Sequence, residues 1–274
     1  MLIMRDIRVS ALIHIGFNEM TKIWNRCWHG YYYDMSYTPD HMSTWLNLRR
    51  VSLQHSMAIL VENQIAGFAL LSLDGTDGWI AGACIDPEYR RKGLFTALMR
   101  IELEVARRIG LKHVYLEVLE QNHARKIYQS VGFERIRPLN IYRVQNRISF
   151  SNRLVERCSL EIISTEKYFE KRRAIFYPAW QRREGYLRRL VNLSAVINST
   201  GSAGALFAGE KNDLLLDAWS ATVTEAEEVI ATIVLCSGAL WSLTNQPEDP
   251  IVTYLEARGI YPRAKQYEMC IKLT

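Results

Sequence analysis

The sequence predicts an α/β (α+β) fold laid down twice in tandem, each copy a mixed, mostly antiparallel sheet flanked by helices. Three observations carry this. Apolar residues alternate between the period of a helix and that of a strand along the chain. Short turns containing Gly, Asn or Pro punctuate the changes. The order of elements in residues 1–147 also returns, in part, over 155–274, a repeat of structure rather than of close sequence identity. The chain has 274 residues, 49% hydrophobic and 23% charged, enough to bury a substantial core without disulfides or metals.

Residues 16–30, GFNEMTKIWNRCWHG, have helical spacing, with Met20, Ile23, Trp24 and Cys27 on one side. An aromatic loop, YYYDMSYTPDHM, covers 31–42, and a second helix is expected over 40–53. SMAILVENQIAGFALLSL (56–73) reads as two strands joined at Asn63-Gln64, and GWIAGACIDP (78–87) as a third, stopped by Pro87. A helix follows from about 94 with an apolar stripe of Leu94, Leu98, Ile101, Val105 and Ile109, closed by Gly110. KHVYLEVL (112–119) is a strand, NHARKIYQSVG (122–132) a short helix closed by Gly132, and FERIRPLNIYRV (133–144) gives the last strands.

After a connector at 146–158, residues 160–187 contain two helices, 193–221 three strands, 224–236 a helix, 238–245 a strand, 250–260 a short helix closed by Gly259, and 266–273 the final strand. Matching Gly259 to Gly132 lays ALWSLTN over HVYLEVL.

Composition also excludes classes of function. The first 150 residues hold 19 Lys/Arg against 14 Asp/Glu, the remainder 15 of each, so the net charge of +5 lies wholly in the first part. That suits an anionic small ligand there and is too sparse for a nucleic-acid face. The five cysteines, Cys27, Cys84, Cys158, Cys236 and Cys270, are scattered and never form a CxxC pair. They argue against a disulfide framework and a zinc site, and for a reducing compartment. No metal is expected. With no signal-peptide layout and no apolar run of membrane-spanning length, a cytoplasmic protein is the default and no membrane partner is expected. Monomer and homodimer are both open.

The stretch PEYRRKGLFTALMR (87–100) concentrates three cations, Arg90, Arg91 and Lys92, before Gly93 and a helix start. Unpaired amides and the positive end of the helix dipole favour an anion there, and Gly93 lets backbone approach closely. A phosphate or pyrophosphate is the natural guest; a solvated charge run is the plain alternative. Further on stand Asn122, Ala124, Tyr128, Gly132 and Phe133.

With both motifs in place the sequence resembles the GNAT superfamily of acetyl-CoA-dependent N-acetyltransferases. Arg90-Arg91-Lys92-Gly93-Leu94 matches the family's Q/R-x-x-G-x-G/A turn, except that Phe95 stands where the family has a small residue. Asn122-His-Ala124-Arg-Lys-Ile-Tyr128-Gln-Ser-Val-Gly132-Phe133 resembles the second family pattern, N-x-x-A-x-x-x-Y-x-x-x-G-F, in looser form. The likeness is close over residues 56–144, and two motifs in their proper local structures are more specific than a lone basic turn.

What the resemblance implies is direct attack of a primary amine, from a small molecule or peptide, on acetyl-CoA. The strand ending at Ile85 would splay from VYLEV, and amides near Cys84 and Ile85 would bind pantetheine and polarise the thioester carbonyl. The turn Arg90–Gly93 with the helix start at Leu94, Phe95 and Thr96 would hold the pyrophosphate. Phe95 is accommodated if its ring points into the sheet. Asn122 would cap its helix and bind the cofactor. Tyr128 would protonate the leaving thiolate or merely pack the cofactor wall. Glu117 would accept the ammonium proton, with Asp86 as a rival and a surface role as the alternative. Cys84 reads as a small core residue more than as a nucleophile. Trp28, Tyr31 and Asp34, in or beside the aromatic loop, would frame the acceptor, the alternative being core packing.

The second half lacks the basic turn. DAWSATVTEAEEVI carries Glu225, Glu227 and Glu228, which would repel a pyrophosphate; Leu255 replaces Tyr128 and Asp249 replaces Asn122. The second copy is therefore expected to be degenerate. A non-catalytic coenzyme A-binding regulatory or protein-interaction module is the alternative function, and the acceptor's identity stays open.

Overall fold

The computed structural model describes residues 6–145, 160–209, 214–237 and 240–273; the connector expected at 146–158 and Cys158 lie outside them. Two compact units emerge: Met1–Ile136 with Met269–Thr274, and Arg137–Glu268.

Unit 1 comprises β1 (Ile7–Ala11), α1 (Phe17–Trp28), α2 (Pro39–Leu48), β2 (Met57–Val61), β3 (Gln64–Asp74), β4 (Asp77–Ile85), α3 (Leu94–Arg108), β5 (His113–Leu119), α4 (Ala124–Ser130) and the start of β6 (Glu134–Gln145). Strands run in the order β1-β2-β3-β4-β5, antiparallel from β1 to β4 and parallel between β4 and β5. The edge strand β1 had no counterpart in the sequence reading. Its five residues leave Ile7, Arg8 and Val9 exposed, so the burial that would reveal a strand is missing.

Three local expectations are corrected. The β2–β3 turn is Glu62-Asn63, not Asn63-Gln64: Val61 pairs with Gln64, and Glu62 and Asn63 have φ of 51° and 62°, as a two-residue hairpin turn requires. The second helix ends at Leu48 rather than 53. There Arg50 turns left-handed (φ 57°) and Val51 bridges to Ser72, so the chain is drawn onto the sheet. The buried face of α3 keeps Leu94 and Leu98 but continues through Met99, Glu102, Leu103 and Ala106, while Ile101, Val105 and Ile109 are only half-buried.

One face of the sheet is covered by α1 and α2. Met20, Ile23, Trp24 and Cys27 of α1 meet Ala58, Phe68, Leu70 and Cys84 from the strands. Fully buried Trp24 lies so close to Gly82 that a Cβ there would come within 2.8 Å of its ring. Its Nε1 donates to the Met35 carbonyl (2.7 Å), so burial leaves no polar group unpaired.

Unit 2 comprises the rest of β6, then β7 (Glu161–Ile163), α5 (Thr165–Arg173), a 3-10 turn (Trp180–Arg182), α6 (Glu184–Leu187), β8 (Ser194–Ile197), β9 (Ala203–Ala208), β10 (Leu214–Ser220), α7 (Val223–Cys236), β11 (Leu240–Pro247), α8 (Pro250–Ala257) and most of β12 (Ala264–Lys272). The order β7, α5, α6, β8, β9, β10, α7, β11, α8, β12 repeats that of unit 1. Strands β7 to β10 form an antiparallel sheet, and β11 runs antiparallel to β6. Beneath the sheet the Asp217 carboxylate is clamped by Arg172 (2.5 Å) and Arg182 and accepts a hydrogen bond from Tyr168 (2.9 Å). Burial alone would raise its pKa, but Arg182 and Arg172 outweigh that and hold the carboxyl below its usual range.

Glu102 of unit 1 has no such partner. It is fully buried, accepts among the described residues only from the Met57 N–H (3.0 Å), and burial drives its pKa well above the carboxylate range. The folded chain keeps that proton after the unfolded chain has lost it, so stability falls as pH rises above the unfolded value, by at most about 1.4 kcal/mol per pH unit. Glu102→Gln is expected to remove this loss: its stability advantage over wild type, measured by urea unfolding, should grow between mildly acidic and mildly alkaline pH. An advantage that does not change with pH would show that Glu102 ionises in the folded state.

Candidate active site

The site begins with a failure of pairing. Strands β4 and β5 share three residue pairs, Asp77–His113, Gly78–Val114 and Trp79–Tyr115, then part. Yet β4 continues to Ile85, paired with β3 except at a bulge at Ala81, and β5 continues to Leu119. The Asp86 N–H donates to the Ala66 carbonyl (2.8 Å) on β3. Backbone alternation therefore turns the Ile85 N–H away from β3 and into the gap, and keeps the Cys84 N–H in the ladder. Of the two expected amide donors, Ile85 is the one whose direction suits a ligand.

At the end of β4 the chain makes a 3-10 turn over Pro87–Tyr89, capped by Asp86, whose Oδ1 accepts from the Glu88 N–H (3.2 Å). Asp86 is buried and paired with Arg26 (2.6 Å), so its carboxylate is committed. The three cations that follow are not equivalent. Arg90 donates from Nε to the Ile85 carbonyl (3.0 Å) and from Nη2 to the Cys27 carbonyl (2.8 Å), tying α1 to the end of β4. Lys92 donates to the Glu88 carbonyl (3.1 Å) and lies 5.3 Å from the Tyr89 ring centroid. Arg91 is exposed and has no partner among the described residues. Arg91 and Gly93 both take positive φ, 62° and 76°, which swings the chain into the first turn of α3. Gly93 is the N-cap and offers no side chain, and no acidic residue lies in that turn. The amides of Leu94, Phe95 and Thr96 have no intrahelical acceptor at this end. The start of α3 thus presents a cradle of free backbone donors beside the exposed Arg91 guanidinium, a geometry able to accept an anion. Leu94 is buried; Phe95 and Thr96 are half-buried.

Phe95 does not cover the cradle. Its ring meets Tyr128 edge-on at 5.6 Å, and Tyr128 also meets Phe133 at 5.9 Å. Asn122 accepts from the Ala124 N–H (2.9 Å) and donates to Tyr31 Oη (3.2 Å), linking the start of α4 to the aromatic loop. Tyr31 in turn meets Trp28 edge-on at 4.5 Å. Burial pushes the Tyr31 phenol up to about 12, partly opposed by the Asn122 hydrogen bond. Burial, with smaller contributions from Tyr31 and Cys84, raises Tyr128 further. Both remain proton donors at neutral pH. The Cys84 thiol is pushed well up, first by burial and then by Cys27, so it stays protonated and packs in the α1–α2 core. Asp34 is exposed; its carboxylate accepts from the Ser36 N–H (2.9 Å) and is thereby held below its usual range.

Glu117 lies two residues past the last β4–β5 pair, half-buried, and accepts a hydrogen bond from Trp79 Nε1. The Arg49 guanidinium lies 5.9 Å from the Trp79 ring centroid and 5.8 Å from that of Trp45. Glu117 therefore belongs to the α2 side of the sheet, among groups that sequence reasoning missed. Trp79 stood in an apolar run as core, and nothing local distinguished it. The Arg90 clamp was missed for a similar reason, since three adjacent cations look alike in a sequence.

The Acetyltransferase (GNAT) family model matches residues 17–133. Unit 1 carries a GNAT domain. A stretch of 70 residues is 33% identical to GCN5-related N-acetyltransferase 6, chloroplastic, of Arabidopsis thaliana, covering 24% of each chain. Over nearly the whole length the fold is similar to a tandem GNAT protein of the clavulanic acid biosynthesis pathway (TM-score 0.63, 13% identity, 97% of this chain and 98% of that one). It is also similar to a GCN5-related N-acetyltransferase from Anabaena variabilis (TM-score 0.61, 14% identity, 97% and 72%). The family match supports acyl transfer by unit 1, and the structural likeness shows the tandem GNAT fold.

In unit 2, whose fold is GNAT-like, the junction equivalent to the cradle is closed. Thr222 caps α7 by accepting from the Glu225 N–H (3.3 Å), and its hydroxyl donates to the Glu225 carboxylate (2.9 Å). Leu255 is fully buried at the position matched to Tyr128. No helix among the described residues is long and apolar enough to cross a membrane.

The unequal roles of the basic residues are testable. Arg90→Met is expected to destabilise the protein by about 1–3 kcal/mol, because two carbonyls lose a charged donor. Arg91→Met should stay within about 0.5 kcal/mol of wild type. Equal midpoints for both variants in urea unfolding would remove the distinction.

Proposed function

We propose that unit 1 transfers an acetyl group from acetyl-CoA to a primary amine of a small molecule or peptide by direct attack. The observation that carries this reading is the uncapped, glycine-led start of α3 beside the β4–β5 gap, with Tyr128 packed against Phe95. The residues fit such a carrier: amide donors and Arg91 suit a diphosphate, and the gap offers the Ile85 N–H to a carbonyl oxygen.

When bound, acetyl-CoA supplies an acetyl group activated as a thioester. The amides of Leu94, Phe95 and Thr96 hold its diphosphate, with Arg91 and Lys92 adding charge, and Asn122 lies on the α4 side. The Ile85 N–H donates to the oxygen that gains negative charge as the amine nitrogen bonds to the carbonyl carbon, a contribution worth roughly 3 kcal/mol. As the carbon–sulfur bond breaks, Tyr128 gives its phenolic proton to the departing thiolate. Burial raises the pKa of the phenol, so it stays protonated until negative charge builds on the sulfur beside it. Glu117, held by Trp79, takes the ammonium proton directly or through water. Trp28 and Tyr31 wall the acceptor side; Asp34, engaged by Ser36, contributes charge from the solvent margin.

A thiol-release assay with acetyl-CoA over a panel of amines and peptides tests this. Tyr128→Phe is expected to lower kcat at least about 100-fold with little change in the KM for acetyl-CoA. Arg91→Glu should raise that KM about tenfold or more while leaving kcat near wild type. Calorimetric binding of coenzyme A with no thiol release for any acceptor would leave a binding module in place of an enzyme.

A further inference from the structure

Trp79 stands on the last rung that β4 and β5 share, opposite Tyr115. Just beyond it, at Ala81, the pairing of β4 with β3 is interrupted by the bulge. The indole therefore sits at the vertex from which the two strands part. It is 2% exposed and lies on the α2 side of the sheet. Arg49, the C-cap of α2, rests against both the Trp79 and the Trp45 rings. Side chains on β5 alternate between faces, so Tyr115 and Glu117 share the face that carries Trp79. The indole reaches one step forward, past its own cross-strand partner, and places its Nε1–H on Glu117 Oε2.

A buried tryptophan needs an acceptor for its N–H, and a backbone carbonyl would serve. Trp24, on the same side of the sheet, uses one, the Met35 carbonyl. Trp79 uses a half-buried carboxylate at the mouth of the gap instead. A hydrogen bond to a charged acceptor is roughly twice as strong as a neutral one. The donor is also rigid: the ring is held by the sheet on one side and by the Arg49 guanidinium on the other. A glutamate side chain left to itself spreads over many rotamers. Tying Oε2 to a fixed indole sets the plane of the carboxylate and hence the direction of Oε1. The other polar pair on this face, His113 with Asp77 (3.2 Å), lies at the closed end of the strands, behind Trp79.

Geometry of this kind matters most to a proton acceptor. A base must stand within hydrogen-bond reach of the proton it removes, and a displacement of about 1 Å can cost on the order of 100-fold in rate. We propose that Trp79 is a positioning residue for acetyl transfer: its indole N–H sets the Glu117 carboxylate in the direction from which it takes the ammonium proton of the acceptor. Loss of that proton frees the nitrogen lone pair that bonds to the thioester carbon. The inference rests on the acetyl-transfer reading of unit 1 and gives Trp79 no contact with the substrate.

The test uses acetyl-CoA and whichever amine of the panel releases thiol fastest. Trp79→Phe is expected to lower kcat about tenfold and to leave the KM for acetyl-CoA within about twofold of wild type. In a Glu117→Gln background the same substitution should lower kcat no further, because the group that it positions has already lost its basicity. A tryptophan that only packs would lower kcat by the same factor in both backgrounds, and that result would overturn the proposal. Thermal unfolding midpoints establish that each variant is folded. A second measurement needs no change at position 79: in proton–nitrogen spectra of the full chain, Glu117→Gln, which keeps the side chain's shape, should move the Trp79 indole N–H resonance upfield as a charged acceptor becomes neutral. A resonance that stays in place would overturn the proposal even if Trp79→Phe did not fold. Absence of thiol release with every acceptor defeats the acetyl-transfer reading and this role with it. Turnover by Trp79→Phe equal to that of wild type defeats the positioning role alone.

Discussion

Parallel strands β4 and β5 stay together for only three residue pairs, and their parting governs the rest of unit 1. A strand interior normally satisfies its amides on both sides. Past Trp79, β4 can do so only toward β3, which follows it to Ile85. The unpaired edge would be unfavourable in a sealed core, because a buried backbone group without a partner loses its hydrogen bond to water. It is tolerable in a gap open to solvent or ligand. The parting is held by particular contacts: the Asp86 N–H on Ala66, the Arg26–Asp86 pair, and Arg90 reaching back to the Ile85 and Cys27 carbonyls.

Electrostatics at the end of β4 follow from the same geometry. The strand must turn sharply into α3, and it does so through two residues with positive φ, Arg91 and Gly93. A glycine N-cap brings no oxygen to the first turn, so the helix starts with its amides exposed. Unit 2 makes the opposite choice at the matching junction, where Thr222 and Glu225 close the turn among carboxylates. One fold thus presents two helix starts of opposite sign, and the difference lies in the identities of a few residues at each junction.

Much of this was readable from sequence because it depends on short-range pattern. The stripe of α1, the basic turn, the glycine closing α4 and the doubled order of elements are local signals, and each appears where it was expected. The parts that escaped depend on distant partners. β1 is a strand only because β2 lies beside it. The Glu62-Asn63 turn depends on which residues pair across the hairpin. Glu102 sits on the buried face of α3 although composition marks it as polar. Arg90 differs from Arg91 only through two carbonyls supplied by other elements, and Glu117 gains its hydrogen bond from Trp79, 38 positions earlier in the chain. The return of Met269–Thr274 to unit 1 likewise has no local signature, because the final strand is equally strand-like in either unit.

The most direct measurement of the central claim is amide hydrogen–deuterium exchange of the full chain with and without acetyl-CoA, resolved to single residues. If the gap and the glycine-led helix start hold the carrier, the amides of Ile85, Leu94, Phe95 and Thr96 slow markedly on addition, while those of Glu225 and Val252 at the matching junctions of unit 2 do not change. Unaltered exchange at all four unit 1 amides under saturating acetyl-CoA would contradict the account.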